Sequence, residues 1–219
     1  MTLPSRRMGL AALLATIAIA GCSTAIQSSS SSRPRTADPG DAALTPAAQA
    51  KADSGRPAYT QADVQFMQGM ILHHAQALVM AGWAPTRAQR SAIKVLAERI
   101  DVSQRDEIAF MERWLRERRQ TVPETHAAHG MSGHVMPGML TAEQLAQLEK
   151  ARGAEFDRLF LTFMIQHHEG ALSMVTDLFA SPGAAQDVYV FRFASDVEAD
   201  QTAEIERMRS MLALQPNQP

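Results

Sequence analysis

Two stretches of the 219-residue chain repeat each other at a constant offset of 94 residues, and this duplication limits the fold more than any other feature. Eight positions of residues 63–80 recur in residues 157–174, among them two methionines and two consecutive histidines. Residues 97–115 and 194–212 also agree at six positions, with an offset of 97. This regularity predicts a tandem duplication of a two-helix unit.

The histidine-bearing segments have the spacing of one face of an α-helix. In the second copy, five residues follow each other at intervals of four, three, four and three, and on a helix they form one continuous stripe. They are Phe160, Met164, His167, Ala171 and Met174. Because no alternating strand pattern competes, the sequence predicts an all-α fold: an antiparallel four-helix bundle with a long central crossover loop.

Caps and breakers divide this bundle into helical segments. Pro85 argues against continuing the first helix beyond Gly82, and a capping box begins at Thr141. Asp63 and Asp157, near the starts of their helices, are expected to act as caps. The expected segments are residues 60–82, 87–118, 141–152, 153–181 and 184–214.

The N-terminus has the parts of a lipoprotein export signal. Arg6 and Arg7 come before an apolar run of about 13 residues, which ends in small residues just before Cys22. The run is shorter than the roughly 20 residues that a membrane-spanning helix needs. The sequence therefore predicts a cleaved signal over residues 1–21 and a lipid anchor on Cys22. The alternative is an ordinary signal that is cleaved nearby.

Composition changes sharply along the rest of the chain. Residues 22–58 are rich in Ser, Ala and Pro, so they are expected to form a disordered tether. Residues 59–215 are long enough for one domain with a substantial core. Its expected halves are residues 59–119 and 141–215, joined by a loop over residues 120–140.

Cysteine content and net charge argue against internal disulfides, thiolate metal sites and a nucleic-acid partner. Cys22 is the only cysteine, so the mature chain can form no internal disulfide, and acylation would leave no thiolate for a metal. Loss of residues 1–21 removes two arginines and no acidic residue, which leaves a net charge of −4. This charge does not indicate a nucleic-acid partner.

The paired histidines are the strongest candidates for chemistry. A single histidine on an apolar face is usually a hydrogen-bonded core residue, and methionines at helical spacing usually serve packing. Two matching pairs favour a metal site instead, because each buried imidazole needs partners for both of its nitrogens. The expected ligands are Met70, His73, His74, Met80, Met164, His167, His168 and Met174.

The expected metal is copper. Imidazole with thioether and no free cysteine suits copper, especially Cu(I), better than magnesium, calcium or manganese. Neither the Glu-x-x-His pattern of di-iron bundles nor the H-E-x-x-H pattern of zinc hydrolases occurs. Four side chains on the partner helices are expected to orient the imidazoles: Gln104, Glu107, Gln201 and Glu204.

The central loop also gathers histidine and methionine. Two readings of it stay open: a solvated loop, and a segment that collects Cu(I) at low affinity and feeds the bundle. Its candidate ligands are His126, His129, Met131, His134, Met136 and Met139.

The M-I-x-H-H patterns at residues 70–74 and 164–168, together with M-P-G-M at residues 136–139, resemble the bacterial family catalogued as domain of unknown function 305. The resemblance covers roughly residues 59–215. It implies a ferritin-like four-helix fold and export from the cytoplasm. In some members it also implies copper binding and copper tolerance.

Three functions are compatible with these observations. The favoured one is a copper-binding protein, anchored by lipid in the cell envelope, that buffers the metal or passes it to a partner protein. The anchor would face the periplasm if two membranes are present. The others are an oxidoreductase or cofactor-binding bundle that uses the same histidines, and a structural domain without a ligand. No P-loop, G-x-G-x-x-G or G-x-S-x-G motif occurs, so no catalytic residue is assigned.

Overall fold

The structure is a computed structural model that describes residues 54–55, 58–124 and 136–214. This part of the chain contains five helices and no strand, so the all-α prediction is confirmed. The helices are α1 (Gln61–Arg87), α2 (Ser91–Glu117), α3 (Ala142–Lys150), α4 (Gly153–Ala180) and α5 (Val188–Ala213).

The start of α1 follows the sequence prediction, but its end does not. The Thr60 hydroxyl accepts a hydrogen bond from the Asp63 backbone N–H, and the Asp63 carboxylate accepts one from the Thr60 N–H, which completes a capping box. The predicted end at Gly82 is wrong, because α1 continues through Pro85. A proline so near the end of a helix removes only one hydrogen bond, and the buried Ala84 keeps this last turn packed against the core.

The two histidine-bearing helices form the centre of the bundle. α1 packs against α2, α4 packs against α5, and α1 also contacts α4 directly, while the short α3 touches both α1 and α4. One apolar cluster joins the C-terminal half of α1 to the N-terminal half of α4, and a second joins the opposite halves. α1 and α4 are therefore antiparallel, and their midpoints lie between two apolar clusters.

The repeated aspartates link the two halves of the duplication. Asp63 of α1 accepts a hydrogen bond from the Ala185 N–H at 2.7 Å, in the turn before α5. Asp157 of α4 accepts hydrogen bonds from the backbone N–H groups of Gln89 and Arg90, each at 3.0 Å, just before α2. Asp63 also caps its own helix as predicted, whereas Asp157 does not cap its own helix and binds only the turn before α2. Each half thus holds the interhelical turn of the other.

Several sequence predictions concern residues outside the described part of the chain. These are the signal over residues 1–21, the lipid anchor at Cys22, most of the tether, and the loop residues His126, His129, Met131 and His134. Among the helices that are described, none combines the length and apolar character that crossing a membrane requires.

Candidate metal centre

The four paired histidines form a buried layer between the two apolar clusters. All four side chains have no solvent exposure. His73 of α1 and His167 of α4, which lie 94 residues apart in sequence, face each other with ring centroids 3.8 Å apart. His74 and His168 lie beside them, with ring centroids 6.3 Å from those of His73 and His167 respectively.

The outer histidine of each pair is held by a glutamate from the neighbouring helix. His74 Nε2 lies 2.5 Å from Glu107 Oε2 on α2, and His168 Nε2 lies 2.7 Å from Glu204 Oε2 on α5. Because a carboxylate accepts hydrogen bonds, Nε2 carries the proton in both rings. This fixes the orientation of both rings in the same way, as carboxylates do behind metal-bound histidines.

The inner histidines are held by backbone carbonyls, and here the two repeats differ. His73 Nε2–H donates to the carbonyl oxygen of Pro137 at 3.0 Å. His167 Nε2–H donates to the carbonyl oxygen of His73 at 3.0 Å. A carbonyl only accepts, so these rings also carry their proton on Nε2.

The Nδ1 atoms of all four rings are left without a hydrogen-bond partner within the described structure. Since Nε2 carries the proton, each Nδ1 atom presents a lone pair inside the bundle. Burying one unsatisfied acceptor costs about 1–3 kcal/mol, so four of them at duplicated positions need a physical reason. A metal ion that accepts a lone pair from some of these rings would provide one, and imidazole nitrogen is a ligand that suits copper.

Burial keeps the inner imidazoles neutral. Desolvation, followed by the proximity of His74, lowers the pKa of His73 to about 3. Desolvation, and then the neighbouring His73, also lowers the pKa of His167 well below its usual value. A histidine must be deprotonated to bind a metal, so both rings are ready to act as ligands at neutral and mildly acidic pH.

The two glutamines expected to orient the histidines leave the Nδ1 atoms of the rings without a hydrogen bond among the described residues. Both amide atoms of Gln104 and the Oε1 atom of Gln201 are buried without a hydrogen-bond partner in the described structure. Gln104 therefore does not orient a histidine by a hydrogen bond, contrary to the expectation from the sequence.

A short segment covers the contact between α1 and α4, and we refer to residues 136–140 as the strap. Gln76 of α1 donates to the Leu140 carbonyl at 3.1 Å and accepts from the Leu140 N–H at 2.8 Å. On the α4 side, Gly138 has a φ of 75° and lies against Gly170, where an added Cβ would be 2.0 Å from the Pro137 oxygen. The strap is thus packed on both central helices.

The sequence pattern predicted an irregular loop at the strap and gave no functional role to Gln76, Gly138 or Gly170. The available signal was Gly170 itself. A glycine inside a helix costs about 0.5–1 kcal/mol relative to alanine, so its presence indicates a close backbone approach.

The methionines divide into two groups by exposure. Met70, Met80 and Met164 are fully buried within the apolar clusters. Met174 of α4 and Met136 and Met139 of the strap are half-buried. In the described residues, no group of three or more His, Cys, Asp or Glu side chains is placed to hold a metal ion. A site here would therefore need thioether sulfur as well as imidazole.

Comparison with known proteins gives a family and a fold. A model of the family described as Domain of unknown function (DUF305) matches residues 63–212. A DUF305 fragment from Deinococcus radiodurans is 32% identical, with a TM-score of 0.61, over 72% of this chain and 99% of that one. A DUF305 protein from Streptomyces coelicolor, whose description suggests secretion, is 26% identical, with a TM-score of 0.60, over 69% of this chain and 92% of that one.

CopM is a further structural relative. Its Cu(II)-bound and Cu(I)-bound forms are each 28% identical to this chain, with a TM-score of 0.55, over 69% of this chain and 95% of CopM. A sequence match of 42% identity over 57 residues also relates the chain to uncharacterized protein L153 of Acanthamoeba polyphaga mimivirus. That match spans only 38% of L153, so it adds no function.

Proposed function

The chain belongs to the DUF305 family, and on that premise we propose that it is a copper-binding protein of the cell envelope, which buffers the metal or passes it to a partner. The observation that carries this proposal is the layer of four buried histidines with unpartnered Nδ1 atoms. The likeness to CopM, which has been solved in Cu(I)-bound and Cu(II)-bound forms, supports copper as the metal.

The ligand chemistry follows from the hydrogen bonds of the rings. Each Nε2–H is held by a carboxylate or a carbonyl, so each Nδ1 lone pair is available without any change of tautomer. The glutamates behind His74 and His168 accept the Nε2–H of those two rings and so hold them in one tautomer and orientation, as carboxylates do behind metal-bound histidines. Thioether sulfur would complete such a site, because soft copper accepts both imidazole and thioether ligands.

Copper titration of protein without a His-tag tests this proposal. The variant that combines His73→Gln and His167→Gln keeps a side-chain N–H near each Nε2 position but removes both inner Nδ1 atoms. We expect it to lose tight Cu(I) binding while remaining helical by circular dichroism. Changing all four paired histidines to Ala should abolish tight binding altogether.

The matched control is the central loop. Replacing His126, His129, Met131 and His134 with Ala should slow copper loading and weaken affinity only modestly, because ligands on a loop must be ordered when they bind. If the loop variant loses tight binding and the histidine variants keep it, the proposed site is in the wrong place.

Lipid attachment at Cys22 completes the proposal by holding the protein at the membrane surface. The motif that supports it is the apolar run ending in Gly21 and Cys22. Cys22→Ala should release the protein from membrane fractions or block its maturation. A mature N-terminus without lipid mass would refute the anchor and leave the copper site untouched.

A further inference from the structure

Two methionines from different parts of the chain meet above one glycine of α1. The sulfur of Met136, in the strap, lies 3.5 Å from the position that a Cβ atom on Gly69 would occupy. The terminal methyl of Met174, on α4, lies 3.3 Å from the same position. Both methionines are half-buried, unlike Met70, Met80 and Met164.

The duplication shows that this arrangement exists on one side of the bundle only. The repeat counterpart of Gly69 is Phe163, which fills the equivalent position with a large buried ring. The counterpart of Met174 is Met80, which has no solvent exposure and lies in an apolar cluster with Met164. The thioether is therefore core packing in one half and reaches the surface in the other.

The strap holds Met136 in place. The Met136 carbonyl accepts a hydrogen bond from the Met139 N–H at 3.2 Å, which closes a turn. The next residue, Pro137, accepts the hydrogen bond from His73, and Gln76 binds the far end of the strap. Gly69 and His73 lie one turn apart on the same face of α1, so the two thioethers lie on the side of the histidine layer that the strap covers.

We propose that Met136 and Met174 form an accessible thioether site for a soft monovalent cation, Cu(I) or Ag(I), through which the ion reaches the buried imidazoles. The inference rests on the proposed function and adds the route by which the metal enters. Thioethers are neutral and soft, so they favour Cu(I) and Ag(I) over harder cations. Because Phe163 fills the equivalent position on the opposite side, the described residues form this arrangement once.

The variants Met136→Leu and Met174→Leu test the site. Met208→Leu is the control, because Met208 is a fully buried methionine of α5 within an apolar cluster and has no expected role in binding. Leucine is close to methionine in volume, so the fold should tolerate all three changes, which urea unfolding would verify. Competition against a chelator should show Cu(I) affinity reduced about tenfold or more by either test change, and by less than about twofold for Met208→Leu. Equal effects at Met208 and Met174, or none at Met136 and Met174, would overturn the inference.

Gly69→Ala separates binding from stability. Its new Cβ would lie 3.3 Å from the Met174 methyl, so this side chain must shift and Ag(I) affinity should fall, whereas alanine inside a helix should leave the unfolding midpoint unchanged or higher. A variant that binds Ag(I) as tightly as the wild type would contradict the site.

NMR of the methionine methyl groups shows which methionines bind the metal in the wild-type protein. On addition of Ag(I), the ¹³Cε signals of Met136 and Met174 should shift, and the signal of the buried Met208 should not. If no methionine signal shifts while the protein still binds Ag(I), this inference fails and the histidine proposal stands. If the wild-type protein binds neither Ag(I) nor Cu(I), the proposed function itself fails.

Discussion

In the α1–α2 half of the bundle His74 donates to Glu107, and in the α4–α5 half His168 donates to Glu204, with nearly equal distances of 2.5 and 2.7 Å. The aspartates of both halves are also used alike, because each holds the turn of the other half. At these positions the duplication has kept both residues and their contacts. The two halves therefore remain equivalent wherever they contact only each other.

The halves differ where the strap lies on them. Gln76 binds the strap with its side chain, whereas its repeat counterpart Gly170 makes room for it by having none. Gly69 lies under two thioethers, whereas its counterpart Phe163 is part of the core. A single segment that crosses two repeats has no symmetric copy, so equivalent residues must meet different surroundings and cannot stay identical. The strap is thus the source of the asymmetry.

The largest expected change in stability concerns His73 and His167. Each half of the duplication contributes one of these residues to the buried histidine layer. Burial depresses the pKa of both in the folded, metal-free protein, to about 3 for His73, while the unfolded chain keeps values near 6.5. Their contribution to stability is therefore complete above pH 6.5 and is lost as the pH falls toward 3. At pH 5 the loss should be roughly 2 kcal/mol for His73, and the lowered pKa of His167 adds a loss of the same sign.

Urea unfolding of the metal-free protein at pH 7 and pH 5 measures this loss. Other groups titrate in the same range, so the quantity to compare is the difference between the wild type and the His73→Gln, His167→Gln double variant. The variant should lose less stability between the two pH values, by at least roughly 2 kcal/mol, the amount expected from His73 alone. Identical pH dependence would mean that these rings are not held neutral by burial.

The second prediction tests the contact between the strap and α4 by changing Gly170. Gly170→Ala would place a Cβ 2.0 Å from the Pro137 oxygen, and backbone on both sides leaves little freedom to relax. We expect a loss of about 3 kcal/mol, as for overpacked core sites. Gly82→Ala is the matched control, because it is an exposed helical glycine with nothing within 4 Å of its Cβ position.

The control should gain about 0.5–1 kcal/mol from the helix propensity of alanine. Urea midpoints of the two variants, measured at pH 7, should therefore move in opposite directions. If both variants gain stability, the strap does not press against α4 and its packing as described is wrong.

Much of this bundle could be predicted because duplication and helical spacing are visible in the sequence. The offset of 94 residues indicated that His73 and His167 occupy equivalent positions, and in the structure their rings meet. Contacts that depend on a close approach of two backbone segments are harder to predict from the sequence. Nothing in the sequence around Gln76 indicates that it binds the backbone of Leu140. Pro85 was expected to end the helix, because helix propensity does not show that Ala84 is packed in the core.

Local spacing also could not separate Met174 from Met80. Both lie on the same stripe of equivalent helices, and only the residue across the helix interface, Gly69 or Phe163, decides which one is half-buried. Such differences arise from tertiary contacts. The repeat pattern points to where they can occur but does not say which copy has diverged.

The smallest expected effect tests whether the two His–Glu pairs contribute equally to Cu(I) affinity. Glu107→Gln and Glu204→Gln each keep an oxygen that can accept the Nε2–H of the paired histidine, but they remove the negative charge behind the ring. Each change should weaken Cu(I) affinity about tenfold, as for other carboxylates that support metal-bound histidines, with little change in the urea midpoint. Chelator competition on the two single variants and the double variant provides the comparison. If the halves are equivalent ligand donors, the single effects match and the double effect is close to their product. A loss confined to one variant would mean that only that histidine binds the metal and that the other Glu–His pair serves the fold alone.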